Sequence, residues 1–199
     1  MSVTASQVAQ LRKMTDCGMR DCKKALDECA GDIDKAVEWL RKKGLSAAAS
    51  KSNRSTNAGR IFSYIHSTGT VGVLVELACE TDFVANTEQF QELGKNLCMH
   101  ICATAPAALK REDIPAELVE KEKEIMREQM KDSLEGKSEE MQEKIITGKM
   151  NRFYKENALL EQMYVKDDKK SIEDVIKEGI ATLKENITLN RFQRFQIGA

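Results

Sequence analysis

The chain has 199 residues, of which 31 are Lys or Arg and 32 are Asp or Glu, so its formal net charge is −1 at pH 7. This balance provides no overall field that would draw the chain to nucleic acid or to an anionic membrane surface. The residues after Met1 lack the segments of a signal peptide, and no apolar run approaches the length of a membrane span. We therefore expect a soluble, cytoplasmic protein that contacts neither nucleic acid nor membrane directly.

Residues 1–44 predict a bundle of three short helices. Thr4 and Gln7 make a capping-box pair at the start of the first helix. Gly18 separates the first helix from the second, and Asp32 caps the third, which we expect to end at Gly44. Apolar residues recur at helical spacing in each helix: Val8, Leu11 and Met14; Cys22, Ala25 and Leu26; Ile33, Ala36, Val37 and Leu40.

Residues 45–59 contain small, polar and basic side chains with almost nothing large to bury, which predicts a flexible linker. A core domain over residues 60–199 follows. It begins with residues 61–65 and Val71–Cys79, two runs that flank a turn-forming segment. The second run alternates with period two and predicts a β-hairpin over residues 60–79. Its other positions, Gly72, Leu74, Glu76 and Ala78, are not uniformly polar, which leaves open a homodimer in which a second subunit covers the outer face.

The remainder of the core domain predicts helices and one further strand. Asn86 is the expected cap of a helix over 86–104, with Phe90, Leu93, Leu97 and Ile101 along one face. Residues 115–155 are highly charged with sparse apolar positions on both sides of Gly136, which predicts a projecting helical hairpin. The predicted fold class is α+β, with a small antiparallel sheet packed against helices.

The last two predicted elements are a helix and a strand. Ser171 is the expected cap of a helix over residues 171–185. Residues 187–197 are rich in β-branched and aromatic side chains and predict a strand that joins the hairpin. Their apolar positions change parity between Leu189, Phe192 and Phe195, which predicts a bulge or a sheet edge.

The chain carries no recognisable catalytic or cofactor site. It has two His, no Gly-rich phosphate loop and no nucleophile elbow. Cys98, His100 and Cys102 come nearest to a ligand set, but on a helix His100 points about 200° away from the two cysteines. We expect no enzymatic activity, no cofactor and no bound metal.

Thr81-Asp82-Phe83-Val84 follows the second predicted strand and places an aromatic residue in a strand-to-helix connection. Residue type alone favours an interpretation in which Phe83 packs beneath the following helix. The alternative is an exposed ring that contacts another molecule. The motif around Phe83 favours the second interpretation, because it is similar to the signature of the elongation factor Ts family.

The resemblance to that family extends over essentially the whole chain. The other similar segments are Leu11-Arg12 with Met14-Thr15, Gly18-Met19, residues 21–26, Gly31-Asp32, Ala36-Val37, residues 98–101, residues 114–117, residues 120–122 and residues 194–198. Met163-Tyr164-Val165 departs from the Pro-Phe-Val that family members commonly show. The resemblance implies a ubiquitin-associated-like bundle at the amino end. It also implies that the chain is a short form of the family, with one core subdomain. Short members of the family form dimers.

The resemblance also implies a function, which is guanine nucleotide exchange on elongation factor Tu during translation elongation. Phe83 would wedge between two helices of the nucleotide domain and displace the segment that positions Mg²⁺ beside GDP. Thr81, Asp82 and Val84 complete this turn, with Asp82 anchoring the contact.

The family positions imply further contacts with elongation factor Tu, in its GDP-bound and nucleotide-free forms. Met19 and Lys23 would hold the same nucleotide domain, and His100 would contact another part of the partner. Each of the three also has an ordinary interpretation, as a core methionine, a solvated lysine and a surface-helix histidine.

An alternative function is that of a ubiquitin-associated-like adaptor protein without exchange activity. The adaptor interpretation requires only residues 1–44, whereas the exchange factor also requires Phe83.

Overall fold

A computed structural model describes residues 3–15, 17–131 and 137–198, and it has the expected α+β fold. The elements are α1 (Ala5–Thr15), α2 (Met19–Glu28), α3 (Ile33–Ala49), β1 (Ala58–Ile65), β2 (Val71–Cys79), α4 (Asp82–Ala85), α5 (Glu88–Thr104), α6 (Ala116–Gln129), α7 (Glu139–Asn157), β3 (Met163–Tyr164), β4 (Asp167–Ser171), α8 (Ile172–Leu183) and β5 (Ile187–Gln196).

The amino-terminal bundle, α1 to α3, begins its helices where the sequence predicts. Thr4 and Gln7 exchange capping hydrogen bonds, and Asp32 accepts from the Lys35 amide at 3.1 Å. The bundle has a core of its own, formed by Val8, Leu11, Cys22, Ala25, Leu26, Ala36 and Leu40. Met14, which we expected on the buried face, is instead exposed in the last turn of α1.

Two predictions about the end of this bundle are wrong. Helix α3 continues past Gly44 to Ala49, so the first part of the expected linker over residues 45–59 is helical. Gly44 lies against α8, where an added Cβ would be 3.0 Å from the Ala181 Cβ, and Ala48 is buried in the main core. Packing against α8 and the alanines of residues 47–49 therefore sustain a helix that Gly44 alone would end.

The sheet has the order β1-β2-β5 and is antiparallel throughout. The predicted hairpin pairs β1 with β2, and the predicted last strand joins β2 on its other side. A register shift opposite Glu76 and Leu77 leaves Asn190 as the extra residue of a bulge. The parity change in β5 thus marks both the bulge and an edge strand, as expected.

Helix α5 covers one face of the sheet. Its predicted stripe is buried, and a Cβ at Gly94 would overlap the Phe62 ring, so α5 and the sheet meet most closely there. The prediction that Asn86 caps this helix is wrong. Residues 82–85 form their own helical turn, which ends at Asn86, and Thr87 caps α5 by accepting from the Phe90 amide at 3.3 Å.

Helices α6 and α7 pack against each other around a separate apolar cluster that includes Ile146, Met150 and Phe153. These are the two helices that we predicted over residues 115–155, and Gly136 lies outside the described residues.

The structure adds the short β3–β4 pair, whose charged second strand gives no sequence signal. Ser171 then caps α8 through a capping box with Asp174.

Candidate functional site

The segment of residues 81–84 lies between the end of β2 and α5. Thr81 is extended and its hydroxyl accepts from the Val84 amide at 3.4 Å, so it caps the single turn of α4. Ala85 is buried and Val84 packs against the main core. One side of α4 is therefore attached to the domain, and the other side faces outward.

Phe83 occupies the outward side of α4. Its side chain is 81% exposed, and the neighbouring Asp82 is exposed as well. The interpretation in which Phe83 packs beneath the following helix is therefore wrong. An exposed aromatic ring beside a carboxylate is a combination that suits insertion into a partner protein, since aromatic anchors dominate the energetics of many interfaces.

The backbone around Phe83 is held by side chains on the helical side of the turn. The side-chain nitrogen of Asn86 donates to the Asp82 carbonyl at 2.8 Å, and the Thr87 hydroxyl donates to the Val84 carbonyl at 2.8 Å. Arg60 of β1 donates to the Asn86 side-chain oxygen. The far end of the turn is thus tied both to α5 and to the sheet.

Two carboxylates hold the strand side of the turn. Glu185 accepts from the Thr81 amide at 3.0 Å and from the Thr81 hydroxyl at 2.7 Å. Glu80 accepts from the Asn186 amide at 2.7 Å. Glu185 was not among the predicted site residues, because it lies more than a hundred residues from Thr81 and no local pattern identifies this contact.

Met19 and Lys23 lie on α2 and are both exposed, with Met19 59% exposed. The interpretation of Met19 as a core methionine is therefore wrong. Asp21, between these two residues, accepts from Lys43 at 2.7 Å and from Lys184 at 3.4 Å. The hydrogen bond from Lys43 holds the pKa of Asp21 below its usual value, so this carboxylate stays ionised when it pairs with both lysines.

These contacts connect the two candidate partner-binding segments. Lys184 pairs with Asp21 of the bundle, and the adjacent Glu185 holds Thr81 of the turn. A second ion pair, between Arg41 of α3 and Asp174 of α8, also joins the bundle to the core domain at 3.1 Å. The connection between α8 and β5 therefore contacts both segments.

His100 is fully buried, so it is not a surface-helix histidine and does not reach a partner in this conformation. Its Nε2 lies 2.9 Å from the Gln162 side-chain oxygen, and its Nδ1 lies 3.4 Å from the Val165 amide. Burial lowers the pKa of His100 below its usual value. The neutral ring donates from Nε2 and accepts at Nδ1, and so it joins α5 to the segment that includes β3.

The cysteines near His100 have no features of a reactive or metal-binding site. Cys98 and Cys102 are buried, and burial raises the pKa of Cys98 to about 12. Among residues 3–15, 17–131 and 137–198, no group of three or more His, Cys, Asp or Glu is arranged to hold a metal ion. Within the same ranges, no helix has both the length and the apolar character needed to cross a bilayer.

A second exposed apolar surface lies on the outer face of the sheet. Ile61 is 71% exposed, Leu74 is 45% exposed and Phe195 is 59% exposed. The strand register places these side chains on the face opposite α5. By strand register Gly72, Glu76 and Ala78 share this outer face, and the burial of Ala78 shows that one end of the face is covered within the chain. We call Ile61, Leu74 and Phe195 the outer sheet patch.

Comparison with known proteins gives a consistent result over the full length. A family model described as "Elongation factor TS" matches residues 3–199. The chain is 55% identical over 196 residues to the elongation factor Ts of Thermosipho melanesiensis, covering 98% of this chain and 99% of that protein. It is 56% identical over 198 residues to the elongation factor Ts of Oleidesulfovibrio alaskensis, covering 100% and 99%. For the elongation factor Ts of Geobacter metallireducens, the identity is 50% over 198 residues, covering 100% and 91%.

Proposed function

The chain belongs to the elongation factor Ts family, and on that premise we propose that it is a guanine nucleotide exchange factor for elongation factor Tu. It would bind the GDP form of the partner, promote release of GDP during translation elongation, and catalyse no chemical reaction itself. Because translation takes place in the cytoplasm, we propose a cytoplasmic location, and the balanced charge supports a protein rather than a nucleic acid partner.

The observation that carries this proposal is the exposed Phe83 ring on a turn whose backbone is hydrogen-bonded on both sides. The ring enters the nucleotide domain of elongation factor Tu and displaces the segment that positions Mg²⁺ beside GDP, while Asp82 anchors the contact. Mg²⁺ requires near-octahedral coordination, so a small shift of its surroundings weakens both ion and nucleotide binding. The factor must therefore bind nucleotide-free elongation factor Tu more tightly than the GDP-bound form. By linkage, GDP weakens the binding of the factor by the same ratio as the factor weakens the binding of GDP.

Met19 and Lys23 form the second contact of the proposed mechanism. Both side chains are exposed on α2, and the Asp21–Lys184 pair joins α2 to the connection that also contacts the Phe83 turn. Met19 and Lys23 bind the nucleotide domain that Phe83 also enters, and they favour movement of its phosphate-binding loop. His100 contributes indirectly, because it is buried and holds the Gln162 side chain and the Val165 amide.

The test is the release of labelled GDP from purified elongation factor Tu, timed with and without this chain. We expect strong acceleration by the chain, and Phe83→Ala should remove most of it while leaving the fold intact. Phe195→Ala is the matched control, because it removes another exposed phenylalanine ring from a different surface. A chain that does not accelerate release would support the adaptor function, and a fully active Phe83→Ala variant would reject the wedge.

We also infer that the chain forms a homodimer through the outer sheet patch. Its three apolar side chains lie on one face of the sheet and are exposed in the described chain, and a second copy offers an identical surface. Light scattering after gel filtration tests this inference. The mass of two chains is expected, and the mass of one chain at micromolar concentration would contradict it.

A further inference from the structure

Two glutamates lie where β2 ends and β5 begins, and each binds a backbone amide beside the other strand. Glu80 follows β2 and accepts from the backbone amide of Asn186, while Glu185 precedes β5 and accepts from the backbone amide of Thr81. The strand ladder itself ends at the Cys79–Ile187 pair. The reciprocal contacts therefore continue the pairing of the two strands beyond the sheet, at the residue where the Phe83 turn begins.

Glu185 makes the more specific contact of the two. One of its oxygens accepts from the Thr81 amide at 3.0 Å and the other accepts from the Thr81 hydroxyl at 2.7 Å. The same hydroxyl accepts from the Val84 amide, so Glu185 orients the group that starts α4. A carboxylate that accepts two hydrogen bonds from one residue restricts both its backbone and its side chain.

The residues next to Glu185 are themselves anchored. Asn186 is buried, and its side chain donates to the Arg54 carbonyl at 2.8 Å. On the other side, Lys184 adopts a left-handed conformation that ends α8, and its amide donates to the Ile180 carbonyl at 3.0 Å. Glu185 is thus presented by a short connection with little freedom to move.

The Phe83 ring depends on this anchoring because its own side chain has no polar group to orient it. The direction of the ring follows from the backbone of α4, which is attached at Thr81 by Glu185 and at Asp82 by Asn86. A single helical turn has too few internal hydrogen bonds to be stable alone. Loss of one attachment should therefore let the ring sample other directions.

We propose that Glu185 is a positioning residue for nucleotide exchange, which holds the Thr81 end of the turn so that Phe83 projects in the direction needed to enter the partner. This inference rests on the proposed function. Glu185 is half-buried and acts through Thr81, without contacting the partner's nucleotide or metal.

The experiment compares release of labelled GDP from elongation factor Tu in the presence of full-length variants. Glu185→Ala should lower the maximal stimulation by about tenfold, the change expected when a hydrogen bond to a charged group is lost. Glu185→Gln should retain most of the stimulation, since its amide oxygen still accepts from the Thr81 amide and its nitrogen can donate to the hydroxyl. Glu178→Ala is the matched control, because it removes an α8 carboxylate paired with Lys170 at 2.8 Å, and it should not change the rate.

Amide hydrogen exchange separates positioning from a general loss of structure. In Glu185→Ala, the Thr81 and Val84 amides should exchange faster while amides in the centre of β2 stay protected. Thr81→Val, which removes only the hydroxyl, should give a smaller loss of stimulation and remains informative if Glu185→Ala does not fold. Its combination with Glu185→Ala should lose less than the sum of the two single losses, because both changes remove the contact between the Thr81 hydroxyl and the Glu185 carboxylate. Any loss beyond that of Glu185→Ala measures the cap that the hydroxyl provides for the Val84 amide.

The outcomes distinguish this inference from the function on which it rests. If Phe83→Ala is inactive and Glu185→Ala keeps full stimulation, the positioning role is wrong and the wedge stands. If Phe83→Ala also keeps full stimulation, the wedge itself is wrong and the positioning role falls with it. A tenfold loss in Glu185→Ala that Glu185→Gln reverses supports the inference.

Discussion

The chain exposes apolar side chains in two places that differ in how they are held. Phe83 is one ring on a single helical turn, whose backbone is tied by Glu185 to the start of β5 and, through Asn86 and Arg60, to β1. The outer sheet patch consists of side chains on paired strands, which are held by the backbone ladder itself. The first surface is a single exposed ring that suits a cleft, and the second is one face of a sheet that suits another extended surface. Similar exposure therefore supports two different kinds of contact.

Phe83→Ala should have the largest effect and should act on one surface only. We expect the stimulation of GDP release to fall by about 30-fold or more, because truncation of a central aromatic anchor commonly costs about 2 kcal/mol or more. The dimer measured by light scattering should persist. If the dimer were lost together with exchange, the two surfaces would not be independent.

Leu74→Glu tests the comparison from the other side. A carboxylate at the centre of the outer sheet patch should raise the dissociation constant of the homodimer by about tenfold or more, because it would be buried without a partner. Sedimentation at several concentrations measures this change. Ser63→Glu on the neighbouring strand, at the position paired with Leu74, is expected to act in the same direction. GDP release per chain should stay within about twofold, since the Phe83 turn is unaltered.

Gly94→Ala should weaken the support that both surfaces share. An added methyl group would overlap the Phe62 ring between α5 and the sheet, so we expect a loss of about 1–3 kcal/mol in the free energy of unfolding. Denaturant titration measures this loss, and Gly148→Ala on α7 is the control, because it has no atom within 4 Å of an added Cβ. Equal stability of Gly94→Ala and the unchanged chain would contradict the close packing.

The smallest effect concerns the protonation of His100. Its pKa is lowered by burial, so the unfolded chain binds a proton more readily than the folded one, and stability should fall as the pH drops below 6.5. His100→Gln should remove this part of the slope, whereas His66→Gln, at an exposed position, should retain it. Unfolding free energies at several pH values provide the measurement. An unchanged slope in His100→Gln would show that other groups cause the dependence.

The sequence predicted what depends on local signals. Residue types and spacing over a few residues were sufficient to predict the caps at Thr4, Asp32 and Ser171, the β1–β2 hairpin and the bulge in β5. Residue type alone favoured burial of Phe83, so its exposure was expected only from the family resemblance.

Most errors arise where distant elements determine the local structure. Helix α3 passes through Gly44 because α8 packs against it. The α5 cap is a local exception, since residues 82–85 form a separate turn and Thr87, the residue after Asn86, is the cap. His100 is buried by the segment around Gln162 and Val165, and Glu185 meets Thr81 only when β5 joins β2. None of these contacts leaves a pattern in the neighbouring sequence.

The central claim, that Phe83 acts on the magnesium region of elongation factor Tu, is tested most directly by measuring GDP release at graded Mg²⁺ concentrations. The chain and its Phe83→Ala variant are compared at millimolar Mg²⁺ and in excess chelator. We predict a large difference between the two at millimolar Mg²⁺ that shrinks towards none in chelator, because an ion already removed cannot be displaced. A difference that stays the same in chelator would contradict the claim.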